Sequence, residues 1–138
     1  MTRKCETFEH TADVGLAAEA DSAEELLEAL GEGLARFICP KKPEGNDLRE
    51  VEVEAEDTES LCVDFLWEIM SIMNFESFVV AGVKVTAFSE VSVRAELTGE
   101  TFDPDRHEYD AEVKAVTHHE LTFEQQGGKW VARVILDL

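Results

Sequence analysis

The chain has 138 residues, 44% hydrophobic and 31% charged, which fits one compact domain spanning residues 1–138 and excludes collagen-like, disulfide-scaffold, disordered and membrane-spanning classes. Twelve Lys plus Arg stand against 31 Asp plus Glu, a formal charge of −19, so a polyanion has no broad basic surface to dock on. The acidity suits a cationic partner protein, metal ions or a salt-rich cytoplasm, and the opening Met1-Thr2-Arg3-Lys4-Cys5-Glu6 runs into charge rather than an apolar signal core, which points to a cytoplasmic protein.

Val14, Leu16, Ala18 and Ala20 alternate with other residues and predict a half-buried strand after Glu9-His10-Thr11-Ala12-Asp13. A turn at Asp21 ends it. Ser22-Ala23-Glu24-Glu25 has capping-box spacing, and Leu26, Leu27, Leu30, Leu34, Phe37 and Ile38 recur on one face of a helix that stops before Pro40. Residues 41–47, with Pro43 and Gly45-Asn46, read as a loop, and the strict apolar/acidic alternation over 51–56 reads as a strand with one wet face. Thr58 is placed to cap a second helix, with Leu61, Cys62, Phe65, Leu66, Ile69, Met70 and Met73 as its buried stripe. Asp64 falls inside that stripe, and helical spacing alone leaves its direction open.

From Val79 the pattern is β: runs over 79–88 and 91–97, a loop through Gly99 and Asp103-Pro104 that also holds His107, then 112–124 and 129–138 joined by a tight Gln126-Gly127-Gly128-Lys129 turn. No role is assigned to His107. Strands and helices that do not strictly alternate predict an α+β fold, with two helices packed on one face of a largely antiparallel or mixed β-sheet. The three cysteines, Cys5, Cys39 and Cys62, lie far apart with no CxxC pair and read as reduced thiols.

A two-residue turn at Gly127-Gly128 sets a register in which Glu124 faces Val131, Glu120 faces Ile135 and His118 faces Asp137. Leu121, Phe123, Trp130, Ala132, Val134 and Leu136 then share a core face, and Lys114, His118, Arg133 and Asp137 share the other. Asp137 is followed by Leu138, whose α-carboxylate would give a second hard oxygen anion beside it, a pair suited to Ca²⁺, Mg²⁺ or Mn²⁺ once another carboxylate closes the site. Fraying of Asp137 into water is the ordinary alternative. In His10-Thr11-Ala12-Asp13-Val14-Gly15 an imidazole and a carboxylate enter a strand three residues apart; Asp13 could bind metal and His10 could move a proton or orient a phosphate, or both could simply satisfy local backbone groups. His118 and His119 point to opposite faces, so at most one of them joins Lys114 and Asp137. Phosphate-cradling Gly-rich loops, nucleophile elbows, HExxH and kinase signatures are absent from the sequence.

Four segments together resemble the archeases. They are Phe8-Glu9-His10-Thr11-Ala12-Asp13-Val14-Gly15, Leu61-Cys62-Val63-Asp64-Phe65-Leu66-Trp67-Glu68, Tyr109-Asp110-Ala111-Glu112-Val113-Lys114-Ala115-Val116-Thr117-His118-His119, and Ala132-Arg133-Val134-Ile135-Leu136-Asp137-Leu138, and they cover the chain in the family's order. The family commonly has Trp and Asn where Phe65 and Trp67 stand here. The resemblance implies a non-catalytic accessory factor for the GTP-dependent RNA ligase that joins 2′,3′-cyclic phosphate or 3′-phosphate ends to 5′-hydroxyls in tRNA splicing. Such a factor promotes ligase guanylylation and repeated turnover. It also implies Asp13, Asp137 and the Leu138 terminus as metal ligands, Ca²⁺ with Mg²⁺ or Mn²⁺ as alternatives, and Lys114 as the functional lysine; His10, Asp64 and His118 stand as further candidates on the residues themselves, with His10 and Asp64 open between site residues and supports. RNA would be met only through the ligase. A chaperone-like protein-binding modulator and a stand-alone metal-dependent phosphohydrolase are the alternative classes.

Overall fold

The computed structural model describes residues 3–10 and 13–138, without the side chains of residues 9 and 10. The elements run β1 (Arg3–His10), β2 (Asp13–Ala20), α1 (Ala23–Ile38), β3 (Asp47–Glu54), α2 (Thr58–Phe75), β4 (Phe78–Ser89), β5 (Ser92–Thr101), β6 (Ala115–Gln126) and β7 (Lys129–Asp137). The architecture is α+β, as the sequence predicts, but the strands form two sheets rather than one: a four-stranded sheet of order β1-β2-β7-β6 and a three-stranded sheet of order β3-β5-β4. Every pairing is antiparallel. Both helices pack on strands of both sheets, and this shared layer is the core.

Each helix starts where a side chain can take up a free amide. The Ser22 hydroxyl accepts from the Glu25 amide at 3.1 Å, and Leu26, Leu27, Leu30, Leu34 and Ile38 are then wholly buried along one side of α1. Burying each such side chain contributes about 1.5–3 kcal/mol over leaving it exposed. α2 is capped one residue earlier than the sequence suggests: the Asp57 carboxylate accepts from the Ser60 amide at 2.7 Å, while the Thr58 hydroxyl donates to the Glu90 carbonyl. The Asp57 carboxyl is held below its usual range, first by that amide and then by the Ser60 side chain. None of the helices among the described residues is long and apolar enough to cross a membrane.

The main differences from the sequence reading lie in β1, β3 and β5, and β6 begins at Ala115 rather than at residue 112. β1 was not predicted, because Arg3-Lys4-Cys5-Glu6-Thr7-Phe8 shows no apolar alternation. β3 begins at Asp47, inside the segment read as a loop, and its first four residues are exposed. β5 runs through Gly99 to Thr101, and a side chain at Gly99 would strike the Val79 carbonyl and the Phe78 ring, so glycine is what lets β4 and β5 close there.

Candidate functional site

The register between β2 and β7 is fixed from the core side. Val14 lies opposite Leu136, Leu16 opposite Val134 and Ala18 opposite Ala132, and a slip of one residue would turn this apolar set into water. The same register fixes the other face. Asp13 stands directly opposite Asp137, and Asp13 is in turn opposite His10 of β1 and Asp137 opposite Ala115 of β6. His10 therefore reaches this row through its backbone, while its side chain lies outside the described residues. The next row on the same face is Phe8, Gly15, Ile135 and Thr117. The Phe8 ring occupies the space where a Gly15 side chain would be, and the Arg133 guanidinium carbon lies 4.1 Å from the centre of that ring.

Directly opposed strand residues have Cβ atoms about 4.5–5.5 Å apart, and like charges there are mutually destabilising. Asp13 is half-buried and Asp137 exposed. The donor set is oxygen only, which suits a hard cation such as Ca²⁺, Mg²⁺ or Mn²⁺. Among the described residues no cluster of three His, Cys, Asp or Glu side chains gathers to hold a metal, so a cation at this pair would draw its further ligands from main-chain oxygens, water or a partner.

Lys114 reaches the same place by another route. It precedes β6, is exposed, and its amide donates to the Asp137 carbonyl at 2.8 Å. The expected hairpin register does not hold at this end of β6. Gln126 pairs with Lys129 and Glu124 with Val131 as predicted, but between Thr122 and Thr117 four residues of β6 pass a single residue of β7, so Thr117 rather than Glu120 faces Ile135, and Ala115 rather than His118 faces Asp137. Glu120, at φ 52°, makes the irregularity. The shift of three residues changes faces: Ala115 and Thr117, not Lys114 and His118, share the face of Arg133 and Asp137. His118 is exposed and lies near enough to Asp57, the cap of α2, to help hold that carboxyl acidic.

Asp64 is also outside the group. It is exposed on α2, on the side that carries Trp67 and Asn74, whose Nε1 and Nδ2 donate to the carbonyls of Val116 and Val113 at 3.0 and 3.3 Å. Asn74 thus marks the level of Lys114, and Asp64 is ten residues away from it, roughly 15 Å along the helix axis.

His107, to which the sequence assigns no role, is a structural anchor. It is the one buried polar or charged residue among the described residues, 6% exposed, in an irregular segment over 102–114 that delivers Lys114 to Asp137. Its Nδ1 accepts from the Asp103 amide at 2.8 Å, which leaves Nε2 as the protonated nitrogen facing Glu100 Oε1 at 2.8 Å. The Glu100 carboxyl is held below its usual range, first by this bond and then by Arg106. Further along, the Tyr109 hydroxyl donates to the Met73 carbonyl and the Asp110 amide to the Ile38 carbonyl, tying the segment to both helices. The flanking Phe102 and Tyr109, whose rings meet edge-on at 5.0 Å, are the signal that this polar-looking stretch turns inward.

Residues 5–138 match the family model described as the Archease protein family (MTH1598/TM1083). The chain belongs to the archease family. It is 38% identical over 141 residues to the protein archease of Thermococcus kodakarensis, covering 99% of each chain, and 34% identical over 143 residues to that of Methanosarcina mazei, covering 99% of this chain and 97% of the relative. Among solved structures it is similar to the solution structure of Methanobacterium thermoautotrophicum protein 1598, with TM-score 0.79, 30% identity and 97% and 98% of the two chains covered. The crystal structure described as an archease, possible chaperone, from Thermotoga maritima matches with TM-score 0.68 at 20% identity over 96% of each chain, a likeness of fold.

Proposed function

We propose that this archease family member is an accessory factor of a GTP-dependent RNA ligase acting in tRNA splicing, and that it works through a cation held by Asp13 and Asp137, with Leu138 completing the ligand set as the resemblance implies. The observation that carries the reading is the opposition of Asp13 and Asp137, with the Lys114 amide bound to the Asp137 carbonyl. Two like charges directly opposite each other on a strand pair are mutually destabilising. A bound divalent cation would neutralise them and present positive charge to phosphate oxygens. The chain's own residues then have distinct tasks. Asp13 and Asp137 would hold the ion at the end of the sheet, the anchored 102–114 segment fixes the Lys114 main chain at the Asp137 carbonyl, and the exposed Lys114 ammonium would supply a point charge toward an anion near that end. The formal charge of −19 favours docking on a basic, RNA-binding partner and accounts for a role in RNA processing without RNA binding of its own.

The test is guanylylation and multiple-turnover joining by limiting ligase with the intact chain and with folded Asp13→Ala, Asp137→Ala and Lys114→Ala variants. Stimulation by the intact chain that is lost in all three supports the reading, and its absence under every metal and salt condition sinks it. The description of the Thermotoga protein as a possible chaperone, together with Phe75 and Leu48 at 79% and 57% exposure here, favours a protein-binding role as the second reading. Suppression of aggregation that survives loss of Asp13 and Asp137 would mark it.

A further inference from the structure

Lys114 stands at a break in strand geometry. Along a regular strand, side chains alternate between its two faces and main-chain carbonyls alternate between its two edges. Val116 is buried on the core face of β6, so alternation carried back from it would turn Lys114 to the core and Val113 to water. The reverse is found: Val113 is buried and Lys114 is exposed. The carbonyls repeat the break. Val113 and Val116, three residues apart, would present theirs to opposite edges of a regular strand, yet both are taken by α2, Asn74 Nδ2 donating to Val113 at 3.3 Å and Trp67 Nε1 to Val116 at 3.0 Å.

The turned unit is one peptide plane. The Val113 carbonyl and the Lys114 amide belong to the same planar group, whose oxygen accepts from α2 and whose N–H donates to the Asp137 carbonyl of β7 at 2.8 Å. It is therefore held from both sides against rotation. Trp67 and Asn74 are seven residues apart, close to two helical turns, so they lie on one side of α2 about 10.5 Å apart along its axis. The three residues from Val113 to Val116 span about 10 Å of extended chain. The two spacings match, and one side of the helix grips the chain on both flanks of Lys114 and Ala115. Without these donors the Val113 carbonyl loses its partner, the plane is free to turn, and the ammonium spreads over many directions.

We propose that Asn74 and Trp67 are positioning residues for Lys114: they hold the Val113–Lys114 peptide turned and so set the direction in which the lysine side chain leaves the end of the sheet. The proposal rests on the ligase-accessory reading, which gives the Lys114 ammonium its task. Neither side chain meets the anion; both act through the main chain of the lysine. A charge that is aimed before the partner arrives loses less freedom on binding than one that must be ordered then.

Amide hydrogen exchange of the chain alone, read beside its stimulation of ligase guanylylation, tests this in the unsubstituted chain, Asn74→Leu, Trp67→Phe, their double variant and Lys114→Ala. In the double variant the Lys114 amide is expected to exchange at least tenfold faster while the Leu30 amide in the middle of α1 keeps its rate. Maximal stimulation is expected to fall at least fivefold, toward that of Lys114→Ala, with the half-saturating concentration of the chain unchanged within twofold. An unchanged Lys114 amide, full stimulation by the double variant, or a general loosening that speeds Leu30 exchange and raises the half-saturating concentration would each overturn the proposal and leave the accessory function standing. Full stimulation by Lys114→Ala would remove the lysine's task and the proposal with it, and no stimulation by the unsubstituted chain would overturn the accessory reading itself. Should the double variant fail to fold, Asn74→Leu alone carries the same comparisons.

Discussion

Asp13 and Asp137 stand directly opposite each other across β2 and β7, on the face of the sheet turned away from the hydrophobic core. Their neighbours along each strand, Val14 and Leu136, are paired in the core register, so the main chain at neither position can shift without disturbing packing. With divalent ions chelated away, neutralising one of them is expected to stabilise the chain. Asp137→Asn should gain up to about 1 kcal/mol in denaturant unfolding relative to the unsubstituted chain. Added Ca²⁺ should reverse the order by stabilising only the chain that keeps both carboxylates.

The parts of this arrangement readable in the sequence are those written as periodicity. Leu26, Leu27, Leu30, Leu34 and Ile38 announce α1, and Gly127-Gly128, at φ 56° and 86°, announces the β6–β7 turn. The positions of Asp137 and Arg133 on one face follow from the period of β7 alone. Lys114 and His118 were harder, because their faces depend on an interruption in β6 that no glycine or proline marks. Lys114 still reaches Asp137, but through its main chain rather than through strand alternation. Asp64 and His118 are placed by tertiary packing, the one along α2 and the other toward Asp57, which composition and spacing do not encode. The presence of an edge strand at β1 escapes the alternation test because its wet edge carries charge where a central strand carries apolar residues.

Glu120 is a non-glycine residue in the left-handed region, at φ 52°. Such a conformation costs an L-residue about 1–2 kcal/mol that glycine does not lose. Glu120→Gly should therefore raise stability by about 1 kcal/mol in denaturant unfolding, the remainder being offset by the greater freedom of glycine in the unfolded chain. The pairing of Thr117 with Ile135 should be retained, as cross-strand amide contacts would show.

The His107–Glu100 bond anchors the segment that carries Lys114. His107→Ala leaves the Asp103 amide without its acceptor and should cost about 1–3 kcal/mol. The pH dependence has a definite sign. Because the folded carboxyl of Glu100 is held below its ordinary value of about 4.3, its contribution is fully present above that pH and is lost as pH falls through the lowered folded value. The stability difference between the unsubstituted chain and Glu100→Gln should accordingly shrink on acidification below about pH 4.3.

Burial pushes the Cys5 and Cys62 thiols up to about 12, with Glu6 and Glu59 adding to the shift. Both should resist iodoacetamide at pH 8 in the folded chain and react at least a hundredfold faster once it is denatured, as peptide mass analysis would show. Rapid native alkylation of Cys5 would mean that the groove between β1 and α1, which Cys5 lines, opens more than the structure indicates.

Calorimetric titration of Ca²⁺ into the metal-free chain and into its Asp13→Asn and Asp137→Asn variants tests most directly whether the opposed carboxylates form a cation centre. One ion bound per chain, lost in either folded variant, is the predicted result. An unsubstituted chain that binds no divalent ion, or variants that bind as well as it does, would contradict the account.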